Sequence, residues 1–290
     1  MVELTPVSQD RHGGRFWRRF SSYDFVRELQ QVPIVLGEHE QVAATLPIVF
    51  AQTSAGPWPV ALTRLGAQTA LVAPNGAWRG SYVPSILRVH PFHAKPTGDG
   101  QFVLLVDEGS GLVTDDPAHE AFFDAEGELS ATVAEVVNFF RNRATAEART
   151  RDAMSEIAAR DLLRPLRMPA GVDAPGVGLM EADAEKLEAV TRSELSALHR
   201  VSALQLLYSS RIARHHTAFL AHAEAAGKRR QAAPPSPVQA DATGVAAVDA
   251  GLSGFFDALA DAQDAEPVLP DFGNDAEPDR DNGSETKRSH

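Results

Sequence analysis

Residues 73–92 read APNGAWRGSYVPSILRVHPF and combine a turn sequence with aromatic, arginine and proline residues. The stretch has neither a helical nor a strand period. Asn75 and Gly76 form a dipeptide typical of a β-hairpin turn. The six residues SILRVH, which lie between two prolines, predict one short helix. The segment therefore predicts a tight turn followed by a short helix.

The sequence around this segment predicts short strands. Residues 32–36 and 46–50 are apolar runs that each contain a proline, so we interpret them as strands or extended edges around a short helical link. WPVALTRLG, QTALVAPNGAW and QFVLLVDEGSG predict further strands, the last ending in a glycine-serine turn. The first half therefore predicts a small, mostly antiparallel β domain with helical insertions.

Helical periodicity begins near Glu128. Apolar residues recur there at steps of three and four, and Thr132 and Glu135 have the spacing of a capping box. We expect a helix from this point to Leu163, with a break. The apolar positions are Leu129, Val133, Val136, Val137 and Phe140.

A second helical block begins near Ala182. Thr191 and Glu194 repeat the capping pattern, and the apolar spacing after them predicts a long helix to Ala225 that Gly227 stops. The fold class predicted is α+β, in which a mostly antiparallel β half with short helices precedes long amphipathic helices. We assign residues 1–225 to this domain.

Residues 226–290 differ from the rest in composition, being rich in proline, alanine and aspartate. High charge and few apolar residues predict a disordered acidic tail. Residues 245–262 are an exception, since an apolar stripe at helical spacing predicts a short helix that folds on contact with its own domain or with another protein. The candidate partner-binding residues are Leu252, Phe255, Phe256 and Leu259.

Charge and composition exclude several classes of function. The net charge of the 290 residues is -12, and residues 231–290 account for -9 of it with twelve acidic and three basic residues. Broad nucleic-acid binding needs clustered Lys and Arg, so we expect none. Cysteine is absent, which excludes disulfides and thiolate chemistry.

We see neither an export signal nor a spanning segment, and we expect a cytoplasmic location.

The sequence offers only weak evidence of catalysis. Ser110 lacks the G-x-S-x-G context of a hydrolase nucleophile, and GVGL at 176–179 lacks the third glycine of a dinucleotide site. His90 and His93 form one histidine group, and His215, His216 and His222 form another, with Glu224 the one carboxylate at helical spacing beside it. Neither group has the convergent donors and orienting partners of a metal centre. We predict no catalytic residue, no cofactor and no metal.

Residues 78–88 could form a ligand cleft. Trp78 and Tyr82 offer large amphipathic surfaces, and Arg88 is a donor suited to a carboxylate or phosphate. Asp107 and His12 are further candidates for the same site. The alternative is a scaffold, in which the arginine braces buried aromatic rings, and the sequence leaves both interpretations open.

Seven blocks of sequence resemble, in order, those of the SapC family. The resemblance extends from about Val7 to Ala225. The blocks are VSQDRHGG, VPIVLGEHEQVAATLPIVF, PVALTRLG, NGAWRGSYVPSILRVHPF, LLVDEGSG, FFDAEGELSATVAEVVNFF and ALQLLYSSRI. The matching positions are His12, Glu38, Pro47, Phe50, Trp78, Tyr82, Pro84, Arg88, Pro91, Phe92 and Asp107, whereas His90 stands where the family has an aromatic residue.

The family is named from a bacterial locus for the paracrystalline surface layer, and it has no established reaction. The resemblance therefore implies an accessory or interaction protein of the cell envelope or surface layer, with a protein partner and no catalysis. Two alternatives stay open. The protein could be an enzyme or a small-molecule or peptide-binding protein that uses the cleft at residues 78–88, and it could reach the cell surface without a cleavable signal.

Overall fold

Short strands fill the first half of the chain and helices most of the second half, as the sequence predicts. A computed structural model describes residues 3–66, 69–97, 101–168, 172, 176 and 178–232. The strands are β1 (Leu4–Pro6), β2 (Phe16–Trp17), β3 (Gln31–Pro33), β4 (Ile48–Thr53), β5 (Gly56–Leu62), β6 (Phe92–Pro96), β7 (Phe102–Asp107), β8 (Val113–Thr114), β9 (Glu120–Ala121), β10 (Leu163–Pro165) and β11 (Leu179–Ala182). The helices are α1 (Gln9–His12), α2 (His39–Ala43), α3 (Ala131–Ala159), α4 (Ala184–Glu188), α5 (Arg192–Arg200), α6 (Ala203–Ala213) and α7 (His216–Ala232).

The strands form three antiparallel sheets. The largest has the order β10-β11-β4-β5-β3, and the two smaller ones have the orders β1-β7-β6 and β8-β2-β9. β4 and β5 pair from Ile48 opposite Ala61 to Thr53 opposite Gly56, which makes them a hairpin. The apolar run at residues 46–50 enters β4, whose first four residues are buried, and the run at residues 32–36 begins in β3 and continues beyond it; α2 lies between the two strands.

Helices α3, α5 and α6 pack on one another and on the large sheet. Their apolar residues form a core with Phe50 of β4, in which Ile157, Leu198, Leu206 and Leu207 are fully enclosed. Buried area of this kind contributes roughly 25 cal/mol per Å² of apolar surface. The combination of antiparallel sheets and helices confirms the predicted α+β class.

Helix α3 differs from its prediction at its start. Ser130, not Thr132, is the N-cap residue, and its hydroxyl accepts a hydrogen bond from the amide of Val133. The predicted capping box at Thr132 and Glu135 is therefore wrong, because the helix has already begun when the chain reaches Thr132. The helix is also continuous over 29 residues and ends at Ala159, without the expected break.

The predicted long helix after Thr191 is three helices. Thr191 and Glu194 do form a capping box at the start of α5. The chain then leaves helical geometry at Ser202, whose φ is +61°, and turns again at Arg214 and His215. Neither glycine nor proline marks these breaks, so the apolar period alone suggested continuity. The last helix passes Gly227 and ends at Ala232, beyond the predicted end.

The segment at residues 73–92 contains the predicted turn and the predicted short helix. Gly76 has a φ of +81°, and the amide of Ala73 donates to the carbonyl of Ala77 over 2.8 Å. The strand pairing beside this turn is limited to the single bridge between Val72 and Trp78. A 3-10 helix spans Ser85–Val89.

All described residues belong to one compact unit. The predicted disordered tail lies almost wholly outside them, and so does the predicted helix at 245–262. Within the described part of the chain, each helix is too short or too polar to cross a bilayer.

Candidate functional site

Trp78, Tyr82 and Arg88 meet in the structure, as the cleft prediction requires. The indole N–H of Trp78 donates to the carbonyl of Tyr82 over 3.0 Å. The Arg88 guanidinium lies 4.7 Å from the centre of the Tyr82 ring, and it donates twice to the carbonyl of Val83, at 2.9 and 2.7 Å. Much of the polar capacity of the three side chains is therefore used within the segment itself.

A buried carboxylate, Glu38, lies beneath this segment. Its Oε2 accepts from the Tyr82 hydroxyl at 3.0 Å and from the Ser85 amide at 2.8 Å. Its Oε1 accepts from the Val35 amide at 3.3 Å and from the Arg143 guanidinium at 3.4 Å. Glu38 is only 5% exposed, and each of its two carboxylate oxygens accepts two hydrogen bonds. We call Glu38, Tyr82, Ser85 and Arg143 the Glu38 cluster.

Arg143 lies in α3, and its guanidinium connects this helix to the other residues of the Glu38 cluster. It also donates to the Ser85 hydroxyl and to the Pro33 carbonyl, each at 3.0 Å, and to Glu147 at 3.1 Å. Sequence reasoning missed this residue. The signal was present, because Arg143 falls three residues after Phe140 on the inward stripe of α3, where a charged residue needs a buried partner.

The Tyr82 hydroxyl stays protonated over an unusually wide pH range. Burial raises its pKa to about 12, and the neighbouring Glu38 carboxylate raises the pKa in the same direction. A phenol that donates to a buried carboxylate cannot ionise without placing two negative charges together. This hydroxyl therefore holds Glu38 in place and is a poor proton acceptor at neutral pH.

Asp107 and His12 lie elsewhere, at the junction of β1, α1 and β7. Asp107 Oδ1 accepts from the amides of Glu3 at 2.7 Å and Gly109 at 3.1 Å, so it caps the 3-10 turn that follows β7. His12 is fully buried against Phe122. Among the described residues, no hydrogen bond, ion pair or ring contact joins Asp107 or His12 to Trp78, Tyr82 or Arg88, so the five predicted residues do not make one site.

Glu108, which sequence reasoning did not select as a binding residue, organises this second region. Arg11 contacts it through two nitrogens at 2.6 and 3.0 Å, and His12 Nε2 lies 3.2 Å away. The hydrogen bonds and charge of Arg11 lower the Glu108 pKa to about 2, despite partial burial. Burial lowers the pKa of His12. His12 accepts from the Ser8 amide at Nδ1, so its neutral Nε2–H donates to Glu108.

A cleft of about 450 Å³ opens beside Arg88. None of the four residues of the Glu38 cluster lines it, and four of its lining residues belong to the C-terminal part of the segment at residues 73–92. Its lining residues are Trp17, Arg19, Phe20, Ser21, Tyr23, Arg88, Val89, His90, Phe92, Thr132, Glu135, Val136 and Phe139. Of the five predicted ligand-binding residues, Arg88 alone lines it.

The cleft has an apolar wall and few charges. Trp17 is 5% exposed, and its indole N–H has no partner among the described residues. His90 stacks on Phe25 with ring centres 4.0 Å apart, and burial lowers its pKa to about 4, so the ring is neutral at physiological pH. Arg19 is paired with Glu120 at 2.6 Å. Arg88 is exposed and has no carboxylate within ion-pair distance among the described residues.

The remaining predictions concern histidines and the tail. His216 bonds the Ala43 carbonyl at 2.9 Å, and His222 bonds the Ala218 carbonyl at 2.7 Å. Within the described ranges, no group of three or more metal-ligating side chains converges. The predicted partner-binding residues Leu252, Phe255, Phe256 and Leu259 lie outside the described residues.

The fold and site define an α+β protein in which residues 73–92, which we call the signature segment, are hydrogen-bonded to a buried carboxylate and border an aromatic cleft. A family model described as SapC matches residues 7–219. The chain therefore belongs to the SapC family, as the sequence blocks indicated. No curated protein and no solved structure matches the chain significantly.

Proposed function

We propose that this protein is an accessory protein of the bacterial cell envelope or surface layer that acts by binding a protein partner. Membership of the SapC family supports the envelope association, because the family takes its name from a surface-layer locus. A cytoplasmic location, with the partner met at the inner face of the envelope, is part of the proposal.

The observation that carries a binding role, rather than a catalytic one, is the Glu38 cluster. In residues 78–88, the Tyr82 hydroxyl donates to Glu38 and the Trp78 N–H donates to the Tyr82 carbonyl. Two Arg88 nitrogens donate to the Val83 carbonyl. Groups engaged in this way hold the backbone of residues 78–88 rigidly. A segment whose polar groups are engaged in this way acts as a scaffold and has few groups left for catalysis, which supports binding of a partner by other residues of the chain.

A capture experiment tests this proposal. The full chain is immobilised and incubated with an envelope extract and, separately, with purified surface-layer protein, at low and high salt to remove contacts that depend only on the net charge of -12. We expect salt-resistant retention of a surface-layer or envelope protein. Retention of small metabolites alone would contradict the proposal.

Variants of the candidate residues at 252–259 extend the same capture experiment. We propose that they contact the partner, so the double variant Phe255→Ser/Phe256→Ser should lose capture while its thermal stability stays unchanged. Loss of stability with unchanged capture would exclude that role for the two phenylalanines.

Cell fractionation tests the proposed cytoplasmic location. Intact protein on the cell surface would contradict that location.

A second function, binding of a small ligand, is favoured by one observation. The cleft beside Arg88 has aromatic walls, and among the described residues Arg88 has no ion-pair partner and the buried indole N–H of Trp17 has no hydrogen-bond partner. These features suit a ligand with a flat apolar body and a carboxylate, such as the end of a peptide chain. The neutral His90 adds ring surface without adding charge.

Binding of N-acetylphenylalanine, followed by NMR, tests this second function, with the corresponding amide as the uncharged probe. We expect binding of the acid to be lost in Arg88→Gln and kept in the control Arg79→Gln, since Arg79 is also exposed but does not line the cleft. Equal binding of the acid and the amide, or no binding of either, would contradict a carboxylate site.

A further inference from the structure

Helices α6 and α7 expose one continuous face. The exposed positions follow each other at steps of three and four across the turn between the two helices, and the described positions between them are buried or half-buried apart from Ala218. We call this the outer face, and its exposed residues are Gln205, Tyr208, Ile212, His215, Phe219, His222, Ala225 and Arg229.

Three large apolar side chains project from the outer face. Tyr208 is 49% exposed, Ile212 is 65% exposed and Phe219 is 57% exposed. Ile212 and Phe219 are the two most exposed large hydrophobic residues in the described part of the chain. Keeping such side chains in water is unfavourable, so their alignment on one face calls for a surface that covers them.

The outer face is also cationic, although the whole chain carries a net charge of -12. Among the described side chains of α6 and α7, the exposed Arg229 and the half-buried Arg211 supply this charge, whereas Arg214 is paired with Glu181 at 2.9 Å. The only carboxylate in residues 203–232 is that of Glu224. Glu224 is buried and accepts hydrogen bonds from the amides of Leu65 at 2.7 Å and Gly66 at 2.6 Å, so it faces the protein interior. Arg211 lies 6.0 Å from the Tyr208 ring centre, beside the apolar stripe.

We propose that the outer face of α6 and α7 binds the surface of an anionic lipid bilayer. Apolar side chains on a helix that lies along a membrane enter the boundary between head groups and acyl chains, while arginine and lysine contact anionic head groups. Salt screens charges beyond about 10 Å at 0.1 M, so the local positive charge decides the contact. This inference does not depend on the proposed protein partner.

An acidic protein partner is the competing occupant, and the order of residues on the face disfavours it. A protein interface has a contiguous apolar core. Here the exposed Ile212 and Phe219 lie seven residues apart, with His215 between them and His222 after them. A fluid bilayer surface accommodates such spacing, because each apolar side chain inserts separately.

Cosedimentation of the full chain with lipid vesicles tests the proposal. Vesicles of phosphatidylcholine and phosphatidylglycerol are compared with vesicles of phosphatidylcholine alone. We expect binding to the anionic vesicles only, and a decrease as the salt concentration rises. The double variant Ile212→Ser/Phe219→Ser should reduce the bound fraction by about tenfold with unchanged Tm. The matched control is Leu4→Ser/Val103→Ser, which removes two exposed apolar side chains elsewhere and should bind normally.

A charge variant keeps the test decisive if the first variant does not fold. Arg211→Gln/Arg229→Gln leaves the apolar side chains intact and should weaken binding at low salt. No binding to anionic vesicles, equal binding to neutral ones, or unchanged binding by a folded variant of either kind would overturn the proposal. Capture of an acidic protein by the outer face without vesicle binding would also overturn it.

Discussion

At the scale of single residues, Glu38 contributes most to the arrangement of the signature segment. A buried carboxylate is tolerated only when hydrogen bonds and an opposite charge replace the water that it has lost. Tyr82, Ser85, Val35 and Arg143 supply them. The cluster thereby joins the loop before α2, the segment at residues 73–92 and helix α3.

Replacing Glu38 with alanine tests this role. The change leaves Arg143 buried with its charge only partly compensated by the more exposed Glu147, and breaking a buried ion pair in this way costs about 3–5 kcal/mol. We expect a fall of that size in the free energy of unfolding, measured by denaturant titration. Glu40→Ala is the control, because Glu40 lies two residues further along, in α2, and is exposed. Similar losses in both variants would contradict the assignment.

Glu108 gives a prediction for the effect of pH. Its pKa of about 2 lies below the ordinary value of 4.5, so its contribution to stability is complete above pH 4.5 and is lost as the pH falls through 2. The difference in unfolding free energy between the wild type and Glu108→Gln should be largest at pH 7 and should shrink below pH 4.5. A difference that grows in acid would contradict this. Glu126→Gln, at an exposed position, should show little difference at any pH.

The sequence could predict some of these residue roles and not others. The Thr191–Glu194 capping box lies within four residues, and it was predictable because its chemistry is local. The contact between Tyr82 and Glu38 joins residues 44 positions apart. Only the tertiary fold creates such a contact, so the sequence could not separate a ligand cleft from a scaffold at Tyr82.

At the scale of elements, helix α3 connects the sheet to the signature segment. Its first turn depends on Ser130, whose hydroxyl satisfies the otherwise unpaired amide of Val133. The sequence predicted a helix in this region but added a break, extended it to Leu163 and misplaced its cap, because serine and threonine at 130 and 132 are both acceptable cap residues. Backbone geometry at Ser130, which the sequence does not reveal, decides between them.

Ser130→Ala should lower the free energy of unfolding by about 0.5–2 kcal/mol, the usual cost of losing a side-chain cap. Thr132→Ala should cost less, since Thr132 already lies inside the helix. Thermal denaturation followed by circular dichroism measures both. A larger loss for Thr132→Ala would show that the helix begins later than we describe.

At the scale of the whole molecule, the α+β class and the family were predictable and the sheet order was not. β11 follows α3 in sequence, yet it pairs with β4, more than a hundred residues earlier. No local pattern specifies such a pairing, because it depends on how the helices pack. The assignment of residues 226–290 as a disordered tail stays a prediction, apart from the part that belongs to α7.

The central claim is that the signature segment is a scaffold and that the protein acts by binding a partner. Tyr82→Phe tests it most directly, because it removes one hydroxyl that bonds Glu38 and leaves the ring under Arg88. Unfolding free energy and capture of envelope protein are measured on the same preparation. We expect the free energy to fall by about 1–3 kcal/mol, with capture unchanged where the variant is folded. Loss of capture with unchanged stability would show that Tyr82 belongs to the binding site and would contradict the account.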